Sequence, residues 1–184
     1  IKRIIEKTNK KVDSIFFVDS FGYLTPADIT NFFKHVKKNK ANNFGFHFHN
    51  NCGLALANCL TAFNHGANYV DTTFLGMGRG AGNAETELYL ALIKPKDTKI
   101  SGFILGDFLD KLKILKNKLE WGSSFSYAYA ARQGFSQSMM MDLIQKRRLD
   151  TSLAVKSISN EIKKNKKIEF KNLKSLKFMK NKNI

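Results

Sequence analysis

Phe44-Gly45-Phe46-His47-Phe48-His49-Asn50-Asn51 is the stretch from which the fold is read. Phenylalanine alternates with glycine or histidine, which is the period of a β-strand, whose successive side chains point to opposite faces. One face is aromatic. The other carries His47 and His49, two residues apart and therefore side by side. After the asparagines, Leu56, Cys59, Leu60 and Phe63 recur at helical spacing as far as Gly66, a residue suited to ending a helix.

The same pattern flanks this unit on both sides. Upstream, Ser14 to Val18 form a short, continuously apolar run ending in Asp19, as expected of a strand covered on both faces. Ser20-Phe21-Gly22 then turns the chain. Thr25-Pro26-Ala27-Asp28 supplies an N-cap, a first-turn proline and an acid at the third helical position, so Ile29, Phe32, Phe33 and Val36 predict an amphipathic helix over 26–38. Downstream, Tyr69 to Phe74 reads as a third strand. The glycine-rich run Gly76 to Asn83 follows, and a helix is expected from Asn83, with Asn83 as N-cap and Glu85 and Glu87 in its first turn.

Strand, loop and helix thus recur three times, at roughly 25 to 30 residues per unit, the mark of parallel βα repeats in a TIM barrel or a doubly wound sheet. Past Pro95 the pattern weakens. Ile100 to Leu105 suggests a last short strand, Phe108, Leu109, Leu112 and Leu115 a helix, and Trp121 to Leu149 a helical hairpin whose core is Tyr127, Tyr129, Phe135 and Met139 to Met141.

The 184 residues, 43% hydrophobic with 16 phenylalanines, suffice for one substantial core. The chain opens at Ile1, with no signal peptide or membrane-spanning run in view, and reads as a fragment whose beginning lies upstream. The net charge is +16, and half of that excess lies between Thr151 and Ile184, where ten lysines face Glu161 and Glu169. Such a tail could bind nucleic acid or an anionic surface, but charge runs usually face solvent, so neither nucleic acid nor membrane is the expected partner. Cys52 and Cys59 are too far apart along one predicted helix to bridge, by roughly 10 Å, and read as free thiols of a reducing cytoplasm.

The polar residues fall where a βα barrel keeps its chemistry. Asp19 ends the first strand, His47 and His49 end the second, and Asn83 lies in the loop after the third, so all four converge on the C-terminal face. Two adjacent imidazoles repel when both are protonated, and a divalent cation relieves that while satisfying both nitrogens. His35 and His65 read as ordinary helix-surface residues. A helix cap alone would also account for Asn83. Arg79, in the glycine loop, either meets a carboxylate or phosphate or faces solvent.

The runs His47 to Asn58, Gly66 to Thr72, and Gly76-Met77-Gly78-Arg79-Gly80-Ala81-Gly82-Asn83, preceded by Asp19-Ser20 through Pro26, resemble the metal-dependent TIM-barrel lyase superfamily. That group includes 3-hydroxy-3-methylglutaryl-CoA lyase, the 2-isopropylmalate synthases and 4-hydroxy-2-oxovalerate aldolase. The resemblance spans residues 13–93. It implies an α/β fold, the C-terminal part of a (β/α)8 TIM barrel followed by a helical extension. The division expected is 1–118 for the barrel, 119–150 for an appended helical segment and 151–184 for a Lys-rich tail.

It also implies Mn2+ or Mg2+ held by His47 and His49, by an aspartate upstream of this chain and, at or near the metal, by Asn83. Asp19, Ser20 and Arg79 would serve the substrate side. The implied reaction makes or breaks a C–C bond beside a 2-oxo acid through a metal-stabilised enolate, with the catalytic arginine on a first strand absent from these residues. The fragment alone is therefore expected to show little activity. Gly76 to Asn83 lacks the cysteine of the hydroxymethylglutaryl-CoA lyases, and Asn50-Asn51 departs from the Asn-Asp of the synthases, which leaves the hydroxy-oxovalerate aldolases nearest. The alternatives are an acyl-CoA condensing enzyme of the isopropylmalate synthase type and an inactive barrel with a basic binding tail. A small 2-oxo acid is the expected partner, with a homo-oligomer or a partner dehydrogenase compatible with it.

Overall fold

The structure, a computed structural model, describes residues 12–35, 43–93 and 102–164. Three strands, β1 (Ser14–Asp19), β2 (Asn43–Phe48) and β3 (Tyr69–Asp71), pair in parallel in the order β1-β2-β3. Parallel neighbours need crossovers, and helices supply them: α1 (Pro26–His35) between β1 and β2, and α2 (Ala55–Asn64) between β2 and β3. Thr25 and Asp28 start α1 with reciprocal bonds. The Asp28 amide donates to Thr25 Oγ1 at 3.3 Å and the Thr25 amide to Asp28 Oδ2 at 2.8 Å. The expected continuation of this helix to 38 lies outside the described residues.

The alternation of β2 sorts its two faces. Phe44, Phe46 and Phe48 are buried under α1 and α2 with Ile29, Ala55, Cys59 and Ala62. Their rings interlock with Phe17, Phe32 and Phe33, at centroid separations of 4.6 Å for Phe17–Phe32 and 5.3 Å for Phe32–Phe46. Fully burying a side chain such as Phe48 stabilises by about 1.5–3 kcal/mol, so this face anchors the sheet.

The opposite face carries Phe16 and Val18 on β1, Gly45 and His47 on β2, and Tyr69 and Asp71 on β3, in lateral register. Phe16 and Tyr69 stack at 5.9 Å across Gly45, where a β-carbon would collide with the Phe16 ring. Within the described residues Phe16 and Val18 are 46% and 54% exposed, on the face that a complete barrel would enclose. Three strands curl too little to close a barrel, so the inward face stays open among the described residues.

Two expectations are corrected. The third strand stops at Asp71, and a single 3-10 turn, Phe74–Gly76, replaces its end, with Leu75 in a left-handed conformation at φ +50°. The apolar run 100–105 is not a strand where it is described. Gly102 already opens a helix, α4 (Gly102–Leu119), that follows α3 (Thr86–Ile93). Such a short apolar run is equally at home in either element.

The C-terminal portion builds its own core. α5 (Phe125–Arg132), α6 (Gln137–Met141), a π-turn at Asp142–Lys146 and α7 (Thr151–Lys164) enclose Tyr127, Ala130, Phe135, Met140, Leu143, Ala154 and Ile158. Ala154 and Ile158 of α7 are fully buried in this cluster. Ala81 joins it from the glycine-rich loop.

Candidate metal centre

The loops at the C-terminal ends of the strands are tied together by backbone bonds. The Cys52 amide donates to the Gly22 carbonyl at 3.0 Å, joining the loops after β1 and β2, and the Asn50 amide to the Gly82 carbonyl at 2.9 Å, joining those after β2 and β3. This lacing brings Asp19, His47, His49 and Asn83 to one end of the sheet. His47 and His49 stand on the same side of β2, with ring centroids 4.9 Å apart and planes at 84°.

Asn83 does not cap a helix. α3 begins three residues later, at Thr86, with Glu87 and not Glu85 in its first turn. Asn83 instead forms an isolated antiparallel bridge with His49, and its Nδ2 donates to the Met77 carbonyl at 3.0 Å. That leaves Asn83 Oδ1 buried without a partner, and His49 Nδ1 is in the same condition. Among the described residues Asn51, Asn58, Thr73, Ser126 and Tyr127 also bury such an atom; His49 and Asn83 are set apart by being bridged to each other, so that one ligand could serve both.

The His49 imidazole is held below its usual pKa, first by burial and then by His47. A bond to the Gly82 backbone and the Asp19 carboxylate oppose this, and the Arg79 charge adds to it. A neutral imidazole is the form that binds metal. His47 is fixed differently: its Nδ1 lies 3.2 Å from Asp71 Oδ2. A carboxylate on one ring nitrogen sets the tautomer and leaves Nε2 as the donor, the usual arrangement behind a metal-ligating histidine. Sequence reading missed Asp71 as a site residue. Its place in the run that ends the third strand was visible, but its partner depends on the His47↔Asp71 register.

Asp19 is buried, and burial pushes its pKa up. Its oxygens nevertheless accept from the Gly22 and Leu24 amides at 2.9 and 3.0 Å, which brace the turn after β1. Ser20 and Arg79 are exposed at the same end. Among the described residues no three His, Cys, Asp or Glu side chains are grouped to hold a metal; the polar side chains gathered here include the two imidazoles and the Asn83 amide. His35 and His65 bond locally, to the Asn31 carbonyl and Thr30 Oγ1, away from this group. Both cysteines are free thiols.

A family model described as HMGL-like matches residues 2–103, more than half the chain. The chain belongs to the HMGL-like family. It is 44% identical over 81 residues to a 4-hydroxy-2-oxovalerate aldolase of Carboxydothermus hydrogenoformans, which covers 44% of this chain and 24% of that one. The chain therefore spans about a quarter of the length of such curated relatives. Among solved structures, the N-terminal domain of a candidate aldolase from Bacteroides vulgatus superposes with a TM-score of 0.66 at 35% identity, over 74% of this chain and 46% of that one. The HMG-CoA lyase of Bacillus subtilis superposes at 0.50 and 26% identity, over 65% and 43%. The three βα units of this HMGL-like chain are accordingly part of a (β/α)8 barrel, and their laced loops are its C-terminal face.

Proposed function

We propose that this HMGL-like chain supplies the divalent-metal face of an aldolase-type carbon–carbon lyase acting on a 2-oxo acid. The observation that carries the reading is the pairing of His49 with Asn83, each with a buried, unpartnered polar atom, beside a His47 whose Nδ1 is occupied by Asp71. His47, His49 and Asn83 would hold the ion. Mn2+ suits this mixture of imidazole and amide oxygen better than Mg2+.

Such an ion supplies Lewis acidity, polarising the carboxylate and carbonyl of a 2-oxo acid so that negative charge can develop beside them. The rest falls to the chain. Asp71 would keep the His47 proton on Nδ1, burial favours the neutral form of His49, Asp19 braces the turn after β1, and the exposed Ser20 and Arg79 would meet an anionic substrate. In domain terms, residues 12–119 form the barrel portion and Trp121 onward the helical unit.

No described helix is long and apolar enough to cross a membrane, and two free cysteines accord with a reducing, cytoplasmic setting. The test is Mn2+ titration of the chain by electron paramagnetic resonance, alongside a His47→Ala/His49→Ala variant. Specific binding lost in the variant is expected. Equal uptake by both proteins would overturn the reading.

A further inference from the structure

The glycine-rich loop is held by the helical unit together with the end of α4, and each contact falls on a carbonyl. Trp121 Nε1 donates to the Leu75 carbonyl at 2.9 Å and Lys116 Nζ reaches the same oxygen at 3.3 Å. The Gly122 amide donates to the Gly80 carbonyl at 2.9 Å, and Gln137 Nε2 donates to the Arg79 carbonyl. On the other side, the Leu75 amide donates to both Glu87 carboxylate oxygens at 3.1 Å. Leu75 is thus clamped at both its amide and its carbonyl in a left-handed conformation that leucine rarely adopts.

The clamp reaches Asn83 directly. The Asn83 amide donates to the Gly76 carbonyl at 3.0 Å, Asn83 Nδ2 to the Met77 carbonyl, and the Trp121 ring lies against Gly82. Gly80 fits against Gln137 and the Tyr127 ring, while Ala81 is buried in the helical core. Released from these donors, a run with four glycines in eight residues would sample many conformations, because glycine loses the most backbone freedom on ordering.

We propose that the helical unit is the positioning element of the metal centre, with Trp121 and Gln137 as positioning residues that hold the glycine-rich loop so that Asn83 faces His49. The consequence for metal binding rests on the function proposed above; the consequence for loop order does not. Neither side chain touches the metal donors. Their effect passes through the Leu75 and Arg79 carbonyls.

The experiment uses the whole chain with Trp121→Phe, which keeps an aromatic ring and loses the donor, Gln137→Glu, which keeps the shape and loses the donor, and the double variant. Hydrogen exchange of the Leu75, Gly82 and Asn83 amides should accelerate roughly fivefold in each single variant and more in the double, the scale of one net hydrogen bond. Amides of β2 should exchange as before. The dissociation constant for Mn2+ should rise by roughly tenfold in the double variant, as for lost second-layer support of a ligand.

Unchanged loop exchange in the double variant would overturn the proposal. So would an equal acceleration in β2, which would make the contacts ordinary contributions to global stability, or a loosened loop with unaltered Mn2+ affinity. If the unaltered chain takes up no Mn2+, the metal reading fails on its own, and the exchange data still decide whether Trp121 and Gln137 order the loop.

Discussion

His49 and Asn83 form an isolated antiparallel bridge between two loops, and each keeps a buried side-chain polar atom without a partner. Replacing Asn83 separates its bond to Met77 from the ligand role proposed for it. Asn83→Ala removes the bond to the Met77 carbonyl and should cost about 1 kcal/mol of stability, while Mn2+ affinity falls by about tenfold. Asn83→Asp should do the opposite for metal. A carboxylate beside two imidazoles binds the cation more tightly, and the metal-free protein melts lower because a charge is buried and the Nδ2 donor is gone. Thermal melts with and without Mn2+ distinguish these outcomes. An Asn83→Asp protein that melts lower and gains nothing from Mn2+ would remove Asn83 from the ligand set.

Asp71 acts on His47 from a half-exposed position, the two side chains being 51% and 26% exposed. Pairs this open to water contribute at most about 1 kcal/mol to stability. Asp71→Ala should therefore leave the melting temperature nearly unchanged and still weaken Mn2+ binding by about tenfold, because His47 loses the partner that fixes its tautomer and ring orientation. Titration calorimetry beside a melting curve checks the split. A large loss of stability with intact metal binding would make Asp71 a structural residue only.

The two cysteines should differ in reactivity. Cys59 is fully buried on α2, and burial, with a smaller push from Asp71, raises its thiol to about 12, from an ordinary 9.0. Cys52, in the turn before α2, is half-buried and raised less. Iodoacetamide at pH 8 should label Cys52 slowly and Cys59 only on unfolding. Because folding raises the Cys59 pKa, the associated stability is fully present below pH 9.0. It is lost as pH climbs from there toward about 12, when the thiolate forms in the unfolded chain and not in the folded one. Alkaline unfolding of wild type and Cys59→Ala, followed by circular dichroism, should show a shallower pH slope in the variant.

What the sequence made legible was whatever local periodicity controls. The strand-like run from Phe44 to His49 placed the two histidines on one side, and Thr25 with Asp28 marked the start of α1. Long-range competition decided the rest. Asn83 has good capping chemistry, yet the bridge to His49 and the bond to Met77 take it, and α3 starts at Thr86. Asp71 needed the register of β2 against β3. In α7, the lysines hid an apolar stripe at Ala154, Ile158 and Ile162 that packs against the helical unit. The charge count described one face of that helix and not the other.

Gly82 and Gly53 offer a controlled comparison of conformation against space. Both are left-handed, at φ +75° and +72°, so alanine at either should cost about 1–2 kcal/mol for the backbone alone. Nothing lies within 4 Å of where a β-carbon would sit at Gly53, whereas at Gly82 that carbon would fall on the Gly76 carbonyl oxygen, with the Trp121 ring 3.4 Å away. The carbonyl cannot swing aside, because it accepts the Asn83 amide. Gly82→Ala should thus destabilise by at least about 3 kcal/mol and displace the loop, and Gly53→Ala by no more than about 2 kcal/mol with the loop intact. Urea unfolding gives the two values. Equal losses would mean that the glycine-rich loop yields readily, and that the bridge between His49 and Asn83 is not held in place by its packing.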